Sequence, residues 1–450
     1  MRTHPNGMSR LRASCVTRPA ILSLVLALLG AQAEAQGLRS QFAELFRFGG
    51  TCGEALLCLN DASGASVANA FTASLSENNQ LIIGFVSAAI GQSVANIPVP
   101  ATSSGTIPEF VAGRLLPRSL SAGPIYAERA PTLGRNRLMA GTYFTFLDFN
   151  ALRGVSLDDM VFNFQHVDLP GSGPLGDPVQ ENNILQVQTD LAVRLMAASV
   201  FLTYGLTNWL DIGVAVPFVR TSISGRSRAQ IIPFGANTVY SFGERPPNED
   251  PQVQQTNFVE GSATGVGDIA ARAKLNFYQS RRTGVALLAD VRFPTGDEEE
   301  LLGLGYTQVR GLAIVSAEFG SFSPHVNVGY RYLDQPKSLQ NHAVVGNLGF
   351  DLLITPGVTL IADALSEWQV DEMSLTVPEP IQYQEPFTRS VPASPIPNRR
   401  DDRVDGSFGF KFTPRAAVSG LTVVLSSLIP LNSGGMRSNA TWTLGVEYKF

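Results

Sequence analysis

The chain has 450 residues, with 33 Lys and Arg against 38 Asp and Glu, a net charge of −5. An acidic chain with scattered arginines has no basic patch for nucleic acid, so nucleic-acid partners are set aside. Beyond the N-terminus no stretch approaches about eighteen consecutive apolar residues, which argues against a helical membrane protein. The near-neutral mean hydropathy (+0.09) fits a chain that alternates apolar and polar residues instead of running them together.

In chain order, residues 1–35 read as a cleaved export signal. Arg2, Arg10, Arg12 and Arg18 make a basic start, residues 20–29 a short apolar run, and Ala31-Gln32-Ala33 and Ala33-Glu34-Ala35 two small-residue cleavage sites. The predicted cut follows Ala35. About ten apolar residues fall short of the roughly twenty that a spanning helix needs, which disfavours an uncleaved anchor. Cys15 precedes the apolar run and cannot carry a lipoprotein lipid.

Residues 36–136 form an N-terminal segment of a different character. Its two cysteines, Cys52 and Cys58, are expected to close a small disulfide loop in the oxidising periplasm. No third Cys or nearby His supports a metal site. Residues 69–93, with Leu81, Phe85, Ala88 and Ala89 spaced among Ala and Ser, predict one or two helices. Residues 97–121 are rich in Pro, Ser and Gly. The segment is read either as a plug inside a barrel or as a periplasmic extension outside it, and the sequence leaves both open.

Residues 137–450 repeat one pattern: an alternating segment, a short turn, an alternating segment, a longer polar loop. Gly267, Ile269, Ala271, Ala273, Leu275 and Phe277 share one strand face, while Asp268, Arg272, Lys274 and Asn276 share the other. The same sorting recurs in Val285, Leu287, Ala289 and Val291 against Asp290 and Arg292, and in Val326, Val328, Tyr330 and Tyr332 against His325, Asn327 and Arg331. A basic side chain facing lipid at mid-bilayer costs about 2–4 kcal/mol, so strict sorting is what a membrane barrel requires. Short turns are expected near 205–208, 280–283, 320–322, 355–357 and 413–418. Longer outer loops fall near 154–183, 225–263, 295–306, 334–341, 371–402 and 431–437. The count is about twelve strands. The last of them, with Trp442, Leu444, Val446, Tyr448 and Phe450 on one face, resembles the C-terminal strand by which the barrel-assembly machinery recognises its clients.

The expected fold is therefore all-β: an antiparallel transmembrane β-barrel of the cell outer membrane, with a partly helical N-terminal segment, bedded in lipid and lipopolysaccharide. The lumen-lining set is read as Arg194, Asp211, Asp268, Arg272, Lys274, Asp290, Arg292, Arg310, Glu318, Arg331, Asp351, Asp363, Glu367 and Lys411. Charges of both signs in a narrow barrel can pair structurally or tune a pore.

No enzyme is expected. A strand-borne hydrolase would place a serine two residues from a histidine; His325 is followed two residues on by Asn327, and His166 and His342 have no better company. The acidic run at 297–300 reads as a solvated loop or a divalent-cation contact to lipopolysaccharide. No cofactor is implied, since no phosphate-binding glycine loop or metal-ligand cluster occurs.

Several pieces resemble a known family. They are Gly265-Val266-Gly267-Asp268, Phe293-Pro294-Thr295-Gly296-Asp297, Ser323-Pro324-His325-Val326-Asn327-Val328-Gly329-Tyr330 and Tyr204-Gly205-Leu206-Thr207-Asn208-Trp209-Leu210-Asp211. Together they are similar to the outer-membrane barrels named for the MetA pathway of phenol degradation, distantly similar to long-chain fatty-acid transporters. The match covers most of 137–450, and Gly123-Pro124-Ile125-Tyr126-Ala127-Glu128-Arg129-Ala130 extends it upstream. The resemblance implies a channel or transporter for passive uptake of small molecules, aromatic or hydrophobic ones among them. The alternative is a non-transporting structural or surface-binding barrel, in which the Pro-rich loop 371–402 would capture the ligand.

Overall fold

In the computed structural model the described residues are 37–52, 55–61, 63–95, 106–111, 114–119, 122–171, 175–234, 240–243, 249–334, 342–370, 377–414 and 420–450. The predicted export signal lies outside them. Twelve antiparallel strands close into a barrel: β1 (Leu138–Leu152), β2 (Ile184–Gly205), β3 (Leu210–Ile232), β4 in two pieces (Gln254–Val266 and Ala270–Gln279), β5 (Thr283–Arg292), β6 (Gln308–Ala317), β7 (Phe322–Leu333), β8 (Ala343–Thr355), β9 (Val358–Gln369), β10 (Arg403–Phe412), β11 (Leu421–Pro430) and β12 (Thr441–Lys449). Closure is by β12 on β1, from Trp442 opposite Phe146 to Lys449 opposite Met139, and the Phe450 amide donates to the Leu138 carbonyl at 2.8 Å.

The alternation in the sequence becomes two environments. Met196, Val200 and Leu202 of β2, Val326, Val328, Tyr330 and Tyr332 of β7, and Trp442, Leu444 and Val446 of β12 all point outward and are exposed, forming the apolar belt that lipid covers. Their strand neighbours Thr189, Arg331, His325 and Thr443 are buried. Short turns at 206–209, 280–282, 318–321 and 356–357 lie at one end with both ends of the barrel chain, the habit of the periplasmic side; most of the turn expected at 413–418 lies outside the described residues.

The long-loop end departs from the sequence expectation. The outer loop expected at 225–263 is largely strand: β2 and β3 run 22 and 23 residues and pair as far as Ile184 opposite Ile232, and β4 starts at Gln254. A crossing needs only about 9–11 residues, so this sheet stands well above the membrane. Its outward residues accordingly become Arg220, Ser224, Arg226 and Arg228, while Val219, Ile223, Ala229 and Ile231 continue inward. The two pieces of β4 meet at Gly267-Asp268-Ile269. There Asp268 accepts from the amides of Gly296 (3.1 Å) and Leu304 (2.9 Å), tying the 293–307 loop inward.

Those inward apolar faces bury the N-terminal segment. Helices α1 (Leu38–Glu44) and α2 (Asn69–Ala95), with the turn after α1, contribute Phe42, Phe46, Phe71, Leu75, Val86 and Ile90 to one core with Phe162, Phe164, Val187, Leu191, Val193 and Ile223. The rings of Phe46 and Phe162 meet edge to face at 5.7 Å. Cys52 and Cys58 are joined as a disulfide just before α2.

Small residues make room for large ones on the inner wall. Tyr143 of β1 lies directly opposite Gly445 of β12, and a Cβ on Gly445 would come within 2.3 Å of that ring. Gly445→Leu should therefore destabilise the closing seam by roughly 1–3 kcal/mol, the usual cost of overpacking. The check is the urea midpoint of refolding into detergent or lipid, compared with Gly311→Ala, whose added methyl meets nothing within 4 Å.

Candidate functional site

Residues 122–135, which precede β1, carry no strand period, yet their backbone is held as closely as a strand by wall side chains. The Ala122 amide donates to Thr359 Oγ1 at 2.9 Å, that of Glu128 to Asn327 Oδ1 at 2.8 Å, that of Ala130 to Ser316 Oγ at 3.1 Å and that of Leu133 to Asp211 Oδ2 at 2.9 Å. In return Asn327 Nδ2 donates to the Glu128 carbonyl and Asn276 Nδ2 to the Ala130 carbonyl, both at 2.8 Å. Buried backbone groups need such partners, and wall residues that face the lumen supply them.

Two charges of this segment organise the wall. The Glu128 carboxylate lies 3.4 Å from Arg272 and 3.5 Å from Lys274, and the Arg129 guanidinium bonds Glu318 and lies 3.3 Å from Asp351. All but Glu318 are nearly inaccessible to solvent. Removing either partner of such a pair would strand a charge in a low-dielectric interior.

A second tier lies toward the long loops. Asp290 receives Arg272 at 2.5 Å and Arg292 and Arg310 at 3.5 Å each; Arg331 meets Glu367 at 2.6 Å, and Arg437 meets Asp405 at 2.7 Å. Register places Arg272, Asp290, Arg310 and Arg331 side by side across β4 to β7, and Glu367 beside Arg403 across β9 and β10. Elsewhere on the wall Lys411 and Tyr143 both engage Glu447, and His325 Nε2 lies 2.8 Å from Asp363.

Thirteen of the fourteen charges read from sequence thus have interior or inward-turned positions, and Arg194 does not. Asp211, Asp268, Arg272, Lys274, Asp290, Arg292, Arg331, Asp351, Asp363 and Lys411 are buried, Arg310 and Glu367 line the cavity between the strands, and Glu318 meets Arg129. Arg194 is outward and highly exposed, paired with Asp148 at 2.8 Å. It sits where β2 rises beyond the lipid belt, so an outward charge is solvated there and the lipid argument does not apply. Glu128, Arg129, Arg403, Arg437 and Glu447 were missed. The first two lie in the upstream piece of the family resemblance, the one signal that could have found them.

The histidines have other work. Ser323, two residues before His325, shares its inward face and was overlooked. Among the described residues its hydroxyl makes no hydrogen bond, and His325 instead turns its nitrogens to Asp363 and, at 3.7 Å, to Asp351. His166 Nε2 meets the Tyr240 hydroxyl at 2.7 Å against Phe71, where burial pushes the tyrosine up to about 12. His342 stacks on Tyr332. The acidic run is engaged by α1: Arg39 pairs with Glu298 (2.9 Å) and Glu299 (3.3 Å). Among the described residues no cluster of three or more His, Cys, Asp or Glu is placed to hold a metal. In the 370–402 loop, Arg389 lies 4.2 Å from the rings of both Phe234 and Tyr383.

Residues 192–420, just over half of the chain, match the family described as "Putative MetA-pathway of phenol degradation". The chain belongs to this family of outer-membrane barrels. Among solved structures it is similar to the COG4313 outer membrane channel from Pseudomonas putida F1 (12% identity, 71% of this chain and 98% of that one, TM-score 0.43). It is also similar to a Pseudomonas aeruginosa FadL homologue (11%, 71% and 91%, TM-score 0.31) and to the P. putida toluene transporter TodX (10%, 70% and 89%, TM-score 0.32). No curated protein matches by sequence.

The pairing energetics give a direct expectation. Arg129→Ala leaves Glu318 and Asp351 facing a buried gap and should cost about 3–5 kcal/mol, whereas Arg194→Ala should change stability by less than about 1 kcal/mol. Urea titration of the two refolded variants checks the contrast.

Proposed function

We propose that the protein is a gated outer-membrane channel for passive uptake of small molecules, and that residues 36–136 are its plug. The observation that carries this reading is the doubly anchored segment 122–135, whose Glu128 and Arg129 engage the inward faces of β4, β7 and β8 and the turn after β6. A barrel stabilised for its own sake can fill its lumen with side chains. Threading a separate piece of chain through it, fixed by a limited set of polar contacts, suits a closure that must also open. Membership in a family named for phenol degradation supports small aromatic or hydrophobic compounds as the cargo.

The same reading has the export signal removed after Ala35 and the last strand, with Trp442, Leu444, Val446, Tyr448 and Phe450 outward or terminal, offered to the barrel-assembly machinery. Arg220, Arg226 and Arg228, on the outer face of β3 above the apolar belt, are suited to the phosphates of lipopolysaccharide.

Single-channel conductance of the refolded protein in a planar bilayer, with and without residues 36–135, tests the proposal. The expected result is a quiet or rarely opening full-length protein and discrete steps after truncation. Silence in both forms would favour a non-transporting structural or surface-binding barrel.

A further inference from the structure

Helix α2 presents two different sides inside the barrel. Val86, Ile90 and Val94, spaced four apart, belong to the apolar core with β2 and β3. Ala88 and Gln92 lie roughly opposite Ile90, at about 3.6 residues per turn, and with Ala89 and Ser93 they border two cavities. The lower cavity, of about 130 Å³, is bordered by Ser93 and by Tyr126 of the 122–135 segment. The upper one, of about 40 Å³, is bordered by Ala88 and Gln92 and by Asp401 and Gly435 of the long loops. Glu367 of β9 and Arg403 of β10 border both, so the two spaces form one line between α2 and the wall.

This line is polar where the core is apolar. Arg272, Arg292 and Arg310, gathered on Asp290, stand around the lower space, and the Arg331–Glu367 pair stands in the upper one. The Gln92 amide borders the upper space, and neither its nitrogen nor its oxygen has a hydrogen-bond partner among the described residues, although both atoms are shut off from bulk solvent. A buried amide is rarely left so. Water enters a cavity that offers polar partners and at least about 10–15 Å³, whereas cavities that stay dry are apolar. Both spaces meet the conditions for water. The two ends of the line are closed. At the lower end the Tyr126 hydroxyl lies 3.1 Å from that of Ser426 and donates to Thr443 Oγ1 at 3.2 Å, and at the upper end Arg153 meets Asp401 at 2.7 Å.

We propose that this line is hydrated and is the route by which water and small polar solutes cross the barrel beside α2, with Glu367 and Arg403 forming the neck between its two spaces. Gln92 stands beside the neck and narrows it from the helix side. Ala88, Ala89 and Ser93 are small, which keeps α2 from filling the line. Lining groups of both signs with a free amide suit solutes that bring their own hydrogen-bonding groups. The proposal deepens the channel reading above: the route rests on that reading, whereas hydration of the line does not.

The test is thiol labelling of the full-length protein refolded in detergent. Cys52 and Cys58 are joined and Cys15 lies in the predicted export signal, so a cysteine introduced into α2 is the reporter. Gln92→Cys and Ser93→Cys should react with iodoacetamide at least tenfold faster than Val86→Cys and Ile90→Cys, whose thiols face the apolar core. Folding is verified by heat-dependent gel mobility, and Ala89→Cys is read in place of any line-facing variant that fails the check. Equal rates on the two sides of α2 would overturn the proposal. In a planar bilayer, a trimethylammonium-ethyl methanethiosulfonate label at position 92 should at least halve the unitary conductance of any openings. The same label on the outward Arg194→Cys should leave it unchanged. Openings indifferent to the label at 92 would overturn the route. Fast labelling in a protein that never conducts leaves the hydrated line standing and removes the channel reading.

Discussion

Everything in this molecule follows from where a charge can stand. Lipid on the outside of the wall excludes Lys, Arg, Asp and Glu over the height of the belt, so the strands turn those residues inward. Turned inward, they are nearly as poorly solvated, and each then needs a partner. The wall supplies some of these within itself, as with Lys411 and Glu447 or Arg331 and Glu367. It does not supply all of them. Lys274 lies opposite Asp211 of β3 and is also engaged by Glu128, while Asp351 relies on Arg129 together with His325. The piece of chain in the lumen is thus as much a requirement of the wall's charge as an addition to it.

That dependence bears on the proposed gating. Withdrawing residues 122–135 completely would take Glu128 from Arg272 and Lys274 and Arg129 from Glu318 and Asp351, and release four backbone amides from their wall acceptors. Each buried charge left alone costs several kcal/mol unless water replaces its partner. A spontaneous full exit is therefore rare, and a rearrangement that admits water to the charged side of the lumen is the less costly route. The core around α1 and α2 is mainly apolar, with Arg39, Ser74 and Asn257 adding polar ties at its edges, so it should respond more to loss of apolar contact and the 122–135 segment more to salt and charge substitution.

Much of this was legible in the sequence because a membrane wall obeys one simple rule over many residues. The alternation in β4 to β7, the short and long connections and the final aromatic-rich strand led directly to twelve closed strands. The reading failed where the rule changes. Above the belt, outward charge costs nothing, so the alternation puts Arg194 on the wrong face and the Ser- and Arg-rich extension of β3 reads as loop. Glu128 and Arg129 lie in a segment with no period, where function rests on tertiary contacts almost two hundred residues away, such as Glu128 with Asn327. The cavity was not legible at all, since Arg310 and Arg403, on β6 and β10, line one space only when the barrel closes.

The account stands or falls on residues 122–135 being seated against the wall in the folded protein. Hydrogen–deuterium exchange at the amides of Glu128, Ala130 and Leu133 in the refolded full-length protein reads this directly. Seating predicts exchange as slow as in the paired strands around them, and faster in Arg129→Ala. Exchange at the rate of an exposed loop in the unaltered protein would contradict it.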